Sequence, residues 1–492
     1  MDGDRLPDPE TLKAEGRKLI REQALVAGRW VREGGVIEVD DPAEEELLGT
    51  VPKLPEAQIM TAIEAAHEAF PDWSARKPIE RAEFLLRWAV LVEANEMRLG
   101  ALISLENGKP FAEGLGEVRY ANSFIRWFAG EAERMNGAVI APSSGDTVLT
   151  FKEAVGPAAL ITPWNFPAAM LTRKLAAAYA AGCTAVCKPA SATPFTALAL
   201  AALALEAGLP ESCIQVVSGD QAIAGAALTG SPLIRKLSFT GSTPVGRLLA
   251  AQCAPTLKKL SMELGGAAPM IVFDDADLDV AVEGTIKGKF RNAGQTCVCP
   301  NRIYVQDGVK AAYLEKLTAA VAALKVAKPF EPGAQIGPLI NAAGLRKVED
   351  HVARTTAAGG RVLTGGGRHD LGGRFYAPTV LDGGDEVLFR HEETFGPVAP
   401  VFGFETEADA VEMANASEFG LAAFLFSDDL NRSMRVAKAL HAGVIGVNSG
   451  LVSNAANPFG GVNQSGYGRE GSIYGLDDYL QIKSVTLALR AG

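Results

Sequence analysis

The sequence predicts an α/β protein of two domains, each a parallel sheet covered by helices on both faces, with a small β extension. Three observations carry this. From about residue 155, short apolar runs alternate with Ala- and Leu-rich amphipathic ones, as a sheet buried on both faces requires. The alternation comes in two successive series, and 492 residues are too many for one ordinary core. Two more strand-like runs belong to neither series.

The first series opens with AALIT (158–162) as a strand and continues through KLAAAYAAG as a helix. TAVCKP (184–189) is the next strand, followed by a helix over TPFTALALAALALEAG. IQVVSG, a short helix, KLSFTG and a helix over PVGRLLAAQCA complete it. The second series runs from MIVFDDADLD to GVIGVNS (443–449), by way of RIYVQ, a helix over KAAYLEKLTAAVAAL and the strand LAAFLFS. The outliers are GAVIAPSSGDTVLTFKEAV (137–155), two alternating runs around Ser-Ser-Gly-Asp that read as a hairpin, and the C-terminal YLQIKSVTLALR. Both read as projecting strands seeking a partner, such as another subunit.

Composition sets the class. The chain is 48% apolar and 21% charged, with a formal charge of −11, which argues against a nucleic-acid or anionic-membrane partner. Six cysteines in this length make no disulfide scaffold, and MDGDRLPDPE has no basic segment leading into an apolar run. The long uncharged stretch 154–172 is broken by Pro157, Pro163 and Pro167, so it reads as strand, turn and helix start and not as a membrane span. A cytoplasmic protein with reduced thiols is expected.

The literal G-x-G-x-x-G, Gly466 to Gly471, has no strand before it and no βαβ unit after it, so it fails as a dinucleotide motif. FTGSTPVG (239–246) breaks the spacing but has the context: it follows the strand KLSF and opens a helix with Pro244 near its first turn. Free N–H groups there would suit a pyrophosphate; a plain strand-to-helix turn is the alternative.

Four residues are candidates for chemistry. Cys297 and Cys299 stand one residue apart in RNAGQTCVCP, open to reading as a nucleophile, a disulfide, a packing pair, or a zinc site with Cys183 and Cys187. The C-x3-C and C-x-C spacings are not the usual zinc spacings, and no metal is expected. Glu263, at a strand end before two glycines, would serve as a general base or cap the next segment. Asn165, between two prolines, would donate its amide to an oxyanion or merely shape a turn.

Seven stretches in one order decide between these readings: ITPWNFP, Lys-Pro-Ala-Ser after a strand, FTGSTPVG, Leu-Gly-Gly after Glu263, FRNAGQTCVC, EETFGP and NPFGGVNQSGYGRE. The chain resembles the aldehyde dehydrogenase superfamily over nearly its whole length. Within it the chain is most similar to the succinate-semialdehyde dehydrogenases, through ITPWNFPAAMLTRK, KFRNAGQTCVC and GLVSN before PFGG.

That resemblance implies two Rossmann-like domains: a cofactor domain over 1–135 and 156–265, and a catalytic domain over 266–465. Oligomerisation strands over 136–155 and 475–492 would build a homodimer or homotetramer. It implies Cys297 as nucleophile, an oxyanion held by Asn165 and the Cys297 N–H, and Glu263 as base. The aldehyde would pass through a cysteine thiohemiacetal and thioester, with hydride leaving to NADP or NAD. Trp164, Lys188, Ser191, Gly241, Ser242, Glu393 and Phe395 match cofactor positions. Ser191 stands where NAD-preferring members often carry Glu, so NADP is expected to be favoured. Arg173, Arg291 and Ser453 match positions that bind a distal carboxylate, making succinate semialdehyde the expected substrate and glutarate semialdehyde, or another small aldehyde, the rival. Cys299 is expected to act as a resolving thiol beside an easily ionised Cys297, with packing as its alternative. The chain departs from its relatives at Ala267, where Asn is common, and at Pro300, where a small residue is common.

Overall fold

The apolar runs become two separate sheets because each strand has side chains on both faces to bury, and a covering of helices does that. The structure, a computed structural model, describes residues 7–488; residues 1–6 of the expected cofactor domain and 489–492 of the expected C-terminal strand lie outside the described residues. The first sheet has eight strands, in the order Gly466–Tyr467, Lys259–Glu263, Lys236–Thr240, Ala158–Ile161, Ala185–Lys188, Ile214–Val216, Ala24–Val26, Arg29–Val31. From Lys259–Glu263 to Ile214–Val216 the strands run parallel. Leu160, Val186 and Leu237 in them are fully buried, and each such side chain contributes about 1.5–3 kcal/mol.

The second sheet has seven strands, ordered Arg361–Thr364, Thr379–Asp382, Val398–Phe404, Arg302–Gln306, Pro269–Val272, Ala422–Phe426, Val444–Val447. All but the first are parallel to their neighbours. Each predicted strand of the two series lies in one of these sheets. The expected helices follow them: Pro167–Ala181, Phe195–Glu206, Gln221–Gly230, Thr243–Cys253 and Asp307–Ala322.

The two outlying runs pair with each other. Val139–Ile140 folds back on Thr147–Ala154 as the hairpin, and Leu480–Leu487 lies antiparallel along Thr147–Ala154, from Leu480 opposite Ala154 to Leu487 opposite Thr147. The rejected glycine motif also has a place: Gly466–Tyr467 is an antiparallel edge strand on Lys259–Glu263. The first sheet therefore takes residues from beyond 465. A Cβ on Gly466, at φ +107, would meet the Met262 carbonyl oxygen at 1.9 Å, so that edge strand needs glycine.

Candidate active site

Parallel strands put their carboxyl ends along one edge, the usual place for a site in an open α/β sheet. Here that edge carries Glu263, then Gly241 and Ser242, then Trp164 and Asn165, then Lys188, on adjacent strands. The second sheet contributes the segments leading into its strands: Cys297 before Arg302–Gln306, and Glu393 to Phe395 before Val398–Phe404. Between them lies a cavity of about 380 Å³, lined among others by Trp164, Asn165, Glu263, Cys297 and Glu393.

The loop before Cys297 is strained. Asn292 (φ 52°) and Ala293 (φ 54°) are both left-handed, and Gly294 follows at φ 74°. Such a conformation costs about 1–3 kcal/mol for each non-glycine residue and persists only when neighbours over-determine it. They do. Glu113 accepts the Asn292 N–H at 2.8 Å, the Gln295 side chain donates to Asn292 O at 3.0 Å, and Gln295 Oε1 accepts the Ile340 N–H at 2.9 Å. A Cβ on Gly294 would lie 2.1 Å from the Gly396 carbonyl oxygen, so this position requires glycine. Asn165 is tied to the same loop, its Nδ2 donating to Gln295 O at 3.1 Å.

The charges around Cys297 are arranged unevenly. Burial, reinforced by Glu393, pushes its thiol up to about 12 although Arg173 and Arg291 oppose it. This corrects the expectation of an easily ionised cysteine: in the resting site it is a thiol. Glu263 is buried with neither carboxyl oxygen hydrogen-bonded, and burial followed by the nearby Glu470 raises it far above an ordinary carboxyl. Burial would raise Glu470 too, but Arg173 and Lys174 hold it below the usual range.

On the substrate side, Arg291 rests its guanidinium over the Phe166 ring at 5.1 Å, and its buried Nε has no partner. Arg173 is fully buried; Nε is ion-paired with Glu470 at 2.5 Å, without the alignment of a hydrogen bond, while Nη1 has no partner. Arg173 is thus only partly available, since Glu470 holds one side of its fork. Tyr120 lies close to Ser453, to both arginines and to Cys297. Nothing in the sequence marked Tyr120, which lies inside an ordinary amphipathic helix, Phe111–Ala132.

On the cofactor side, Trp164 and Phe395 meet edge to face at 5.5 Å, and Glu393 presents an unpartnered Oε1, its carboxyl pushed up to about 8 chiefly by burial. Gly241 and Ser242 line the cavity at the start of the helix Thr243–Cys253. Lys188 and Ser191 do not reach the cavity lining; Lys188 turns its Nζ onto the Pro189 carbonyl at 3.3 Å. Lys347, from the helix Ala342–Ala357, does line it and was missed. Cys299 is buried with Lys289 donating to its sulfur at 3.3 Å. Cys183 and Cys187 are buried in the first sheet's core, and among the described residues no acidic, His and Cys cluster could hold a metal. At the two departures, Ala267 gives its carbonyl to Arg302 Nε (3.0 Å) and Pro300 packs at Gly288.

Residues 30–485 match the aldehyde dehydrogenase family. The chain belongs to that family. This aldehyde dehydrogenase is 51% identical to the glutarate-semialdehyde dehydrogenase of Pseudomonas aeruginosa, over 97% of this chain and 99% of that one. It is 50% identical to the NADP(+) succinate-semialdehyde dehydrogenase of Escherichia coli, over 97% and 100%. A crystal structure of succinate-semialdehyde dehydrogenase from Burkholderia pseudomallei superposes with a TM-score of 0.95 at 53% identity, covering 96% of this chain and 99% of that one. The expected two-sheet fold and the expected family are both borne out. A thiol, a carboxyl and an amide donor around one cavity suit acyl transfer through sulfur.

Proposed function

We propose that this aldehyde dehydrogenase oxidises a short aldehyde with a distal carboxylate, succinate semialdehyde first, through attack by Cys297. The supporting observation is the pair of unpartnered guanidinium nitrogens, Arg291 Nε and Arg173 Nη1, grouped with Tyr120 and Ser453 near the nucleophile. Buried guanidinium donors need an anion, and a carboxylate fits their planar fork. The Cys297 sulfur attacks the aldehyde carbon while Asn165 and the Cys297 N–H stabilise the oxyanion. In its ionised form Glu263 accepts the thiol proton, releases it to solvent, and later accepts a proton from the water that hydrolyses the thioester. Glutarate semialdehyde, one carbon longer, is the second reading, favoured by the Pseudomonas aeruginosa relative. Steady-state kinetics over succinate semialdehyde, glutarate semialdehyde and butanal is the test. The charged aldehydes should exceed butanal in kcat/KM by roughly 10–150-fold, as one charge-assisted hydrogen bond of about 1.5–3 kcal/mol implies; parity with butanal overturns the reading.

NADP or NAD fits the other end of the cavity. The unpartnered Glu393 Oε1 suits a ribose hydroxyl, the N–H groups at Ser242 suit a pyrophosphate, and Trp164 and Phe395 frame the space between. When bound, the dinucleotide supplies the hydride acceptor. Ser191, close to Lys188 and carrying no charge of its own, leaves room for a 2′-phosphate, and the Escherichia coli relative is named for NADP(+). NADP should therefore be used at least as well as NAD, and Ser191→Glu should shift kcat/KM toward NAD by about tenfold, one unfavourable charge contact. An unchanged ratio in the variant removes Ser191 from cofactor selection.

We read residues 1–135 and 156–265 as the cofactor domain and 266–465 as the catalytic domain. One exposed face of the three-stranded sheet carries Val139 at 76%, Phe151 at 46% and Val485 at 37% exposure, which supports a homodimer or homotetramer built on it. Among the described residues no helix is long and apolar enough to cross a membrane. We place the enzyme in the cytoplasm, where its six thiols stay reduced. Cys299 is read as a thiol that captures oxidised Cys297. Peroxide-treated wild type should then recover with dithiothreitol while Cys299→Ala does not; equal recovery leaves Cys299 a packing residue.

A further inference from the structure

One buried charge pair takes no part in the chemistry above. Lys109 and Glu117 lie 2.5 Å apart with both side chains at 0% exposure. Enclosing two charges costs several kcal/mol per ion, which their attraction offsets only with good geometry, so such a pair is weak evidence for stability. Both partners use their remaining bonds on one segment. Lys109 Nζ donates to the Asn165 carbonyl at 2.8 Å and sits 4.0 Å from the Phe166 ring centre. The other Glu117 oxygen accepts the N–H groups of Ala168 (2.9 Å) and Ala169 (3.3 Å), the first turn of Pro167–Ala181. That helix has no cap of its own, because Phe166 stands at its N-cap without a side-chain oxygen. Asn292, in the strained loop before Cys297, donates its side-chain amide to the same Asn165 carbonyl at 3.0 Å.

We propose that Lys109, with Glu117 as its counter-charge, is a positioning group that fixes the Asn165 peptide so that its side-chain amide faces the reacting carbonyl above Cys297. The inference rests on Asn165 as the oxyanion donor. Lys109 touches neither substrate nor nucleophile; it acts through Asn165. A donor in an oxyanion hole works only where it is held near the position that the oxyanion will occupy, and a peptide left to rotate moves its side chain with it. Lys109 and Asn292 hold that carbonyl from two sides, and Glu117 holds the residues that follow.

The test is a double-mutant cycle on the full-length enzyme, read as the rate of the first-turnover burst of reduced cofactor. Asn165→Ala should slow the burst by about 100- to 1000-fold. Lys109→Met should slow it by about 10- to 100-fold in the wild-type background, with cofactor affinity within about twofold. In the Asn165→Ala background the same change should cost less than about threefold, because the group through which it acts is gone. An equal penalty in both backgrounds means that Lys109 only supports the fold and overturns the proposal; so does a wild-type burst rate in Lys109→Met. If Asn165→Ala itself leaves the burst unchanged, the oxyanion assignment is what fails, and the inference falls with it. Should Lys109→Met not fold, Glu117→Gln serves in the same cycle, since it keeps an oxygen for Ala168 but removes the counter-charge. A smaller slowing, present only with Asn165 intact, is expected of it, and the same penalty in both backgrounds overturns the proposal.

Discussion

Cys297→Ser is expected to lower aldehyde oxidation by at least about a thousandfold, roughly 4 kcal/mol of barrier, while leaving NADP affinity nearly unchanged. The reason lies in how hard this site makes ionisation. Burial and Glu393 hold even the Cys297 thiol at about 12, and a serine hydroxyl in the same place is far less acidic still. Single-turnover formation of reduced cofactor, with cofactor binding followed separately, checks this; more than about a tenth of wild-type turnover in the variant would remove Cys297 as nucleophile. The same environment sets the pH dependence. Cys297 and Glu263 are both shifted upward, chiefly by burial, so the site gives up a proton only at a higher pH than the free groups would. Attack needs a form with one proton fewer, hence kcat/KM should rise as pH is raised through the alkaline range. A profile that falls there would contradict the geometry.

Arg291→Ala is expected to raise KM for succinate semialdehyde by about 10- to 150-fold, the value of a charge-assisted hydrogen bond of about 1.5–3 kcal/mol, while changing KM for butanal less than about threefold. Its buried Nε has no partner among the described residues, and after its removal the buried Glu113 keeps Lys109 as its larger opposing charge. Arg173 is different. Arg173→Ala would leave Glu470 with Lys174 alone inside the core, and breaking a buried ion pair costs about 3–5 kcal/mol. Arg173→Ala should therefore lower Tm as well as substrate affinity, whereas Arg291→Ala should leave Tm within a few degrees. Equal KM increases for the charged and uncharged aldehydes in Arg291→Ala would rule out carboxylate recognition by this residue.

The sequence alone determined the strands and the order of the motifs. Buried parallel strands such as Ala158–Ile161 and Met270 to Val272 are continuous apolar runs, and that pattern is local, so the reading met the structure almost residue for residue. Residues at strand ends, Glu263 and Ser242, were legible for the same reason: the end of a parallel strand is where an α/β protein exposes polar groups to a ligand. Cys297 and Asn165 were candidates whose roles their own context left open, and a family resemblance spread over seven segments chose those roles and brought in Arg291. The tertiary structure decided what depends on partners far along the chain. Glu470 lies in a glycine motif that fails as a dinucleotide site, yet it pairs with Arg173 and Lys174 nearly 300 residues earlier. Tyr120 and Glu117 look like ordinary residues of one amphipathic helix and Lys109 like part of the loop before it, and only packing brings them to Ser453 and Asn165. Whether a cysteine ionises depends on how many charges and how little water surround it, and no short window of sequence contains that information.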